Sequence, residues 1–178
     1  AAPGGGKVFD GAMVVAAGGG DVFPFTYGMA ADPVSGRRDG ILARCTATAT
    51  CPKLIHLDSS NDFWQSRASL VATGGTARDV ALPDGVRAYL MSSTQRFPAD
   101  RPVPGECQHP NNPAPQSPIV RVMLDHLVEW TRGGKAPPPN RFPRLGDAML
   151  TKTDRDSVGF PDLRALGVIP PEAIGENS

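Results

Sequence analysis

The chain has 178 residues, with 18 Lys or Arg balanced by 18 Asp or Glu, so its formal net charge is zero. That balance, with no long run of one sign, argues against a nucleic-acid or anionic-membrane surface, which needs a net basic patch. The length suffices for one domain with its own core, and no apolar run nears the ~20 residues of a membrane span.

The start, Ala1 to Gly6, is a Gly-rich lead-in that reads as a linker or a cut end. Ala12 to Ala17, "AMVVAA", lies between glycines and predicts a short buried strand. Residues 21–40 read as loop, punctuated by Pro24, Asp32-Pro33 and Ser35-Gly36. Residues 41–50 are weakly helical or irregular. Within and after them, Cys45 and Cys51 bracket a Thr/Ala stretch, "CTATATC". The pair reads as a disulfide or as two buried thiols. Oxidised, it points to a periplasmic or secreted location. Zinc is disfavoured because a C-x5-C pair lacks the second close pair of a structural site. No cofactor is expected.

Lys53 to Leu57 predicts a strand that ends at Asp58-Ser59-Ser60-Asn61. Residues 62–71 predict a short helix with Asn61 or Ser60 as N-cap. Val86 to Met91 predicts the next strand, after the turn Pro83-Asp84-Gly85. Continuous apolar runs of this length suit a parallel sheet covered on both faces. The strongest helix spans 117–132, with Ser117 as cap, Pro118 at the first position and Gly133-Gly134 beyond the end. Its predicted inner face is Val120, Met123, Leu124, Leu127 and Trp130 or Thr131, with Arg121, Asp125 and Glu129 opposite. Prolines number 19, roughly twice the average usage of about 5%. They cluster at 98–118 and 137–143, so long stiff loops are expected, and the chain from about 135 onward reads as irregular.

Strand, helix, strand, long loop and amphipathic helix is α/β order, like the later part of a doubly wound fold. In open α/β sheets the working groups gather past the carboxyl ends of the strands. Asp58 and Asp62 stand after one strand. Ser92, Ser93, Thr94, Gln95 and Arg96 stand after the next, with His109 further along. A serine hydrolase of this type needs Ser, then Asp or Glu, then His, in that order. No serine here has the G-x-S-x-G surroundings that its strained turn requires. Asp58 and Asp62 both stand where an acid could, and His109 lies in the segment where a hydrolase histidine can sit. His56, His126, Trp64, Arg67 and Trp130 read as packing or anchoring residues.

Six segments carry a family resemblance: "KVFDGAMVVAAGGG", "ADPVSGRRDGILARC", "CPKLIHLDSSNDFWQSRASL", "LPDGVRAYLMSSTQ", "ECQHPNNPAP" and "LVEWTRGGKAPPPNRFPRL". Together they cover most of residues 7–145. The chain resembles the C-terminal half of the bacterial α/β hydrolase domain-containing proteins of domain type 10. The resemblance implies the C-terminal part of an α/β-hydrolase-like parallel sheet, flanked by helices, over 1–145, with 146–178 as an irregular extension. It also implies a serine hydrolase of carboxylic esters, with a small-molecule ester as substrate, whose serine turn would precede residue 1. The chain then reads as a fragment, inactive alone. Family members place a Glu or Asp before an aromatic-Trp pair; Asp62-Phe63-Trp64 matches, so Asp62 is the implied acid. They read Gly-Thr-Gln-His after the last strand, where this chain reads Ser93-Thr94-Gln95-Arg96. Arg96 thus stands at the base position. A guanidinium keeps its proton and cannot act as a general base, so a non-catalytic binding protein that keeps the fold is the alternative.

Overall fold

The computed structural model describes residues 4–17, 42–66, 68–73, 78–97, 101, 110–152 and 154–169. The loop expected over 21–40, Arg67 and His109 lie outside the described residues. Three parallel strands form the sheet: β1 (Gly11–Val15), β2 (Lys53–Ser59) and β3 (Val86–Met91), in the order β1-β2-β3. Gly11 pairs with Lys53 and Val15 with Leu57; Leu54 pairs with Val86 and Ser59 with Met91. On the far side of β3, Arg141 makes a single parallel bridge to Tyr89. Its N–H donates to Ala88 O at 2.9 Å and its carbonyl accepts from Leu90 N at 2.8 Å. The Pro-rich region beyond 135 therefore closes that edge of the sheet.

β2 is the central strand and is buried on both faces, as a parallel strand between two covering layers must be. Its alternation separates two cores. Ile55 and Leu57 join Tyr89 and Met91 beneath Leu127 and Trp130 of α4 (Ser117–Gly133), with Met13, Val120 and Met123 at the margin. On the other face Ala88 meets Phe63, Ala68, Val71, Ala72 and Phe142. Each fully buried Ile, Leu or Val contributes roughly 1.5–3 kcal/mol. Trp130 also carries the charged ends of Lys53, 5.0 Å from its ring centre, and Arg87, at 5.3 Å.

Several expectations are adjusted. β2 runs two residues further than predicted, so Asp58 is a buried strand residue and not a turn residue. The single helix over 62–71 is two short ones, α2 (Ser60–Gln65) and α3 (Leu70–Thr73), and the cap is Ser59. The apolar pattern could not reveal the break, which follows from side-chain bonds around Asp62 described below. In α4 the cap residue is Gln116, which makes no capping bond, so Ser117 is the first helical residue. Gly134 ends the helix at φ 73°, the left-handed conformation that favours glycine. Leu124 is 47% exposed, because α4 sits over β1 and β2 and turns that residue past the sheet margin. Residues 43–47 form α1, and Cys45 and Cys51 are joined by a disulfide with Cα atoms 4.7 Å apart. Among the described residues no helix is long and apolar enough to cross a membrane.

Candidate active site

The carboxyl ends of β2 and β3 lie side by side, and the loops that leave them are tied together. At the end of β2 the Ser59 hydroxyl accepts from the backbone N–H of Asp62 at 3.2 Å. Asp62 answers through Oδ2, which accepts from Ser59 N–H at 2.8 Å and from the Ser59 hydroxyl at 2.6 Å. This reciprocal capping box starts α2 and fixes the carboxylate at its first turn. Asp62 has no solvent exposure. An ionised carboxylate so placed needs donors for both oxygens.

The second oxygen is served by the loop after β3. Arg96 Nη1 donates to Asp62 Oδ1 at 2.9 Å and to the Ser66 hydroxyl at 3.1 Å. The Arg96 side chain is 36% exposed, so one end of the ion pair is sealed and the other meets solvent. Ser66 follows α2, and its N–H and that of Ala68 both bond to the Asp62 carbonyl. Asp62 and Arg96 between them thus hold the turn that separates α2 from α3.

The β3 loop is held in place by neighbours. Ser93 has φ 60°, in the left-handed region where a non-glycine residue is strained. Its N–H donates to the Ser60 hydroxyl at 2.9 Å, and its carbonyl accepts from Asn112 Nδ2 at 2.5 Å. Ser60 N–H donates to the Thr94 carbonyl at 3.1 Å. The Thr94 hydroxyl donates to Met91 O at 2.6 Å, and Gln116 Nε2 donates to the Gln95 carbonyl. Strained backbone held from several sides is found where a loop must present one side chain in one place. The side chain presented toward Asp62 is Arg96.

Of the residues singled out in the sequence, Asp62 and Arg96 come together. Asp58 does not join them. Its Oδ2 lies 2.7 Å from His56 Nε2, and both side chains are fully buried. Two residues apart on β2, the pair shares one face of the strand, in the layer where Phe142 stands edge-on to His56 at 6.4 Å. Asp58 is therefore the partner of a buried histidine within the strand. His56, read as a packing residue, has this polar partner as well, a link that i, i+2 spacing on a strand allowed. Trp64 is 39% exposed and stacks edge-on against Phe63, while Trp130 is buried. Among the described residues no cluster of three His, Cys, Asp or Glu is arranged to hold a metal ion. Sequence reasoning missed Ser59 and Ser66; the S-x-x-D spacing from Ser59 to Asp62 is a capping-box signal.

The structure thus places an acid past one strand and a cationic side chain past the next, bonded to each other at 2.9 Å. A family model for an alpha/beta hydrolase domain matches residues 1–161. Comparison with curated proteins and with solved structures finds no match. With a parallel sheet flanked by helices and a family match over most of its length, the chain belongs to the alpha/beta hydrolase domain family.

Proposed function

We propose that this is a carboxylic-ester hydrolase-like protein in which Asp62 is the triad acid and Arg96 occupies the place of the base, so that the chain by itself turns over no ester. The observation that carries this reading is the 2.9 Å bond from Arg96 to the buried Asp62 carboxylate. In a working triad the acid orients an imidazole and stabilises its charged form. Here the acid is engaged by a permanent cation that can neither take a proton from a serine nor return it to a leaving group. No serine of the sequence lies in a G-x-S-x-G segment either. The ester as substrate class comes from family likeness alone. His109 remains a candidate replacement base. The disulfide supports an oxidising setting such as the periplasm or cell exterior.

Two assays test the proposal. The purified chain is expected to release no nitrophenol from p-nitrophenyl acetate above a heat-treated control, and to take no label from a fluorophosphonate probe. Serine labelling that Asp62→Asn abolishes would overturn it. A second reading, a binding protein that keeps the fold, is favoured by the same ion pair. It gains if Arg96→His, in a longer chain that includes a serine turn, yields no ester hydrolysis.

A further inference from the structure

The Arg96 guanidinium is engaged on one side only. Its planar head carries its N–H donors on three nitrogens. Nη1 is committed, to the Asp62 carboxylate at 2.9 Å and to the Ser66 hydroxyl at 3.1 Å. The other donors sit on Nε and Nη2, and no acceptor among the described residues bonds to them. The three nitrogens spread evenly around Cζ in one plane, so the Nε–Nη2 edge faces directly away from Nη1. Nη1 is turned to an acid with no solvent exposure. The 36% exposure of the Arg96 side chain therefore lies toward the Nε–Nη2 edge. Two parallel N–H groups in one plane form the fork that takes both oxygens of a carboxylate.

The fork is oriented before any ligand arrives. Asp62 and Ser66 pin Nη1. Gln116 Nε2 donates to the Gln95 carbonyl, and Gln95 Nε2 donates to the Phe97 carbonyl at 2.7 Å. A donor pair held in this way loses little freedom on binding. Beside it, the Phe97 ring centre lies 5.8 Å from Arg96 Cζ, and Phe97 is 79% exposed. An aromatic face next to a charged fork gives cover to an apolar group attached to the carboxylate. The charges of the two strand ends narrow the ligand further. Residues 59–66 and 91–97 contain Asp62 and Arg96 as their only charged side chains. One cation already balanced by one buried acid can take a monoanion through its fork. A phosphate dianion would bring a second charge for which those segments hold no partner. The place also suits a ligand, because open α/β sheets bind theirs outside the carboxyl ends of the strands.

We propose that the Arg96 fork and the Phe97 ring form a binding site for the carboxylate of a small organic acid that carries an apolar or aromatic group. One carboxylate oxygen accepts from Nε and the other from Nη2, and the apolar group lies against Phe97. The inference rests on the reading of Arg96 as the occupant of the base position, and it gives that position a use. An acid of the class that ester hydrolysis releases is held where an imidazole would act on the ester, and no bond is made or broken.

Titration of the chain with sodium benzoate tests the proposal, followed through the Arg96 Nε–H resonance in proton–nitrogen correlation spectra. Benzoate is expected to shift it saturably, with a dissociation constant of about 1 mM or below. Methyl benzoate, which lacks the carboxylate, is expected to leave it unmoved, and inorganic phosphate to bind at least about tenfold more weakly. Two variants are read by calorimetry. Arg96→Lys keeps a cation for Asp62 but has no fork, and should weaken benzoate at least about tenfold. Phe97→Ala, at an exposed ring, should leave the far-ultraviolet dichroism unchanged and weaken benzoate while leaving acetate as it was. A chain that does not bind benzoate, binds methyl benzoate or phosphate as tightly, or binds benzoate unchanged in either variant overturns the proposal. If p-nitrophenyl acetate is left intact by the same preparation, this inference fails alone and the reading of Arg96 as a blocked base position stands. Hydrolysis of that ester would remove both.

Discussion

Replacing Arg96 by alanine isolates the contact on which the functional reading rests. The substitution removes one charge-assisted bond to a carboxylate with no solvent exposure and one neutral bond to Ser66. Breaking a fully buried ion pair costs about 3–5 kcal/mol, and a single hydrogen bond to a charged group about 1.5–3 kcal/mol. Two features favour the lower range. The Arg96 side chain is 36% exposed, so water can enter the space it leaves. Asp62 Oδ2 also keeps both donors from Ser59. A loss of about 2 kcal/mol follows, which for a chain of this size lowers the melting temperature by roughly 4–8 °C. Stacking of Arg96 on Phe97, at 5.8 Å, adds little because Phe97 is 79% exposed. Urea unfolding followed by circular dichroism measures the loss. The cycle with Asp62→Asn separates the pair from the rest of the side chain and should return a coupling of at least about 1 kcal/mol. A change below about 0.5 kcal/mol in Arg96→Ala, typical of an ordinary surface substitution, would refute the view that Arg96 neutralises a sealed acid.

Three further outcomes are expected. Gly11→Ala would put a methyl group 2.9 Å from Thr131 Cγ2 and 3.0 Å from Leu127 Cδ1; it should destabilise by about 1–3 kcal/mol in urea melts, and Thr131→Ser should recover part of the loss. The Asp79 carboxyl is held below the usual carboxylate range by the Gly146 N–H first and by Leu145 N–H and Arg144 besides. Its folded value lies below its unfolded one, so the stabilisation is present above the unfolded value and is lost as pH falls through the folded one. The Gly146 amide resonance should therefore titrate in acid, and Asp79→Asn should abolish that titration. With one disulfide among three cysteines, one thiol should react in denaturant before reduction and three after; closing so short a loop contributes about 2 kcal/mol, to be read from melts with and without reductant.

The strands were legible because their apolar runs are flanked by turn residues, and β3 lies where the sequence predicts it. The α4 span was legible for the same reason, with Pro118 and Gly134 as its markers. What escaped was long-range or set by single side chains. Arg141 completes the β3 edge through backbone bonds that no side-chain pattern encodes. The division of α2 from α3 depends on Ser59, Asp62, Ser66 and Arg96, whose meeting across 37 positions of chain no periodicity could indicate. Leu124 fits a helical repeat as well as Leu127 does, and only the placement of α4 over β1 and β2 tells them apart.

Strand β2 and the helix α2 that follows it present two buried carboxylates four residues apart, with different partners. Asp58 lies within the strand and bonds to His56, which the same strand supplies. Both side chains of that pair are fully buried. Asp62 lies past the strand end, where one oxygen is committed to its own capping box and the other is left to whatever the β3 loop delivers. A carboxylate divided in this way can orient a group from a neighbouring loop without giving up its hold on its helix, which is what an acid in a triad must do. The strained turn at Ser93, pinned by Ser60 and Asn112, delivers residue 96 to that oxygen. With arginine there, the same geometry becomes a lock: the acid stays paired, and the two strand ends stay joined. On the proposed reading, arginine at residue 96 keeps the two loops joined and leaves no base there.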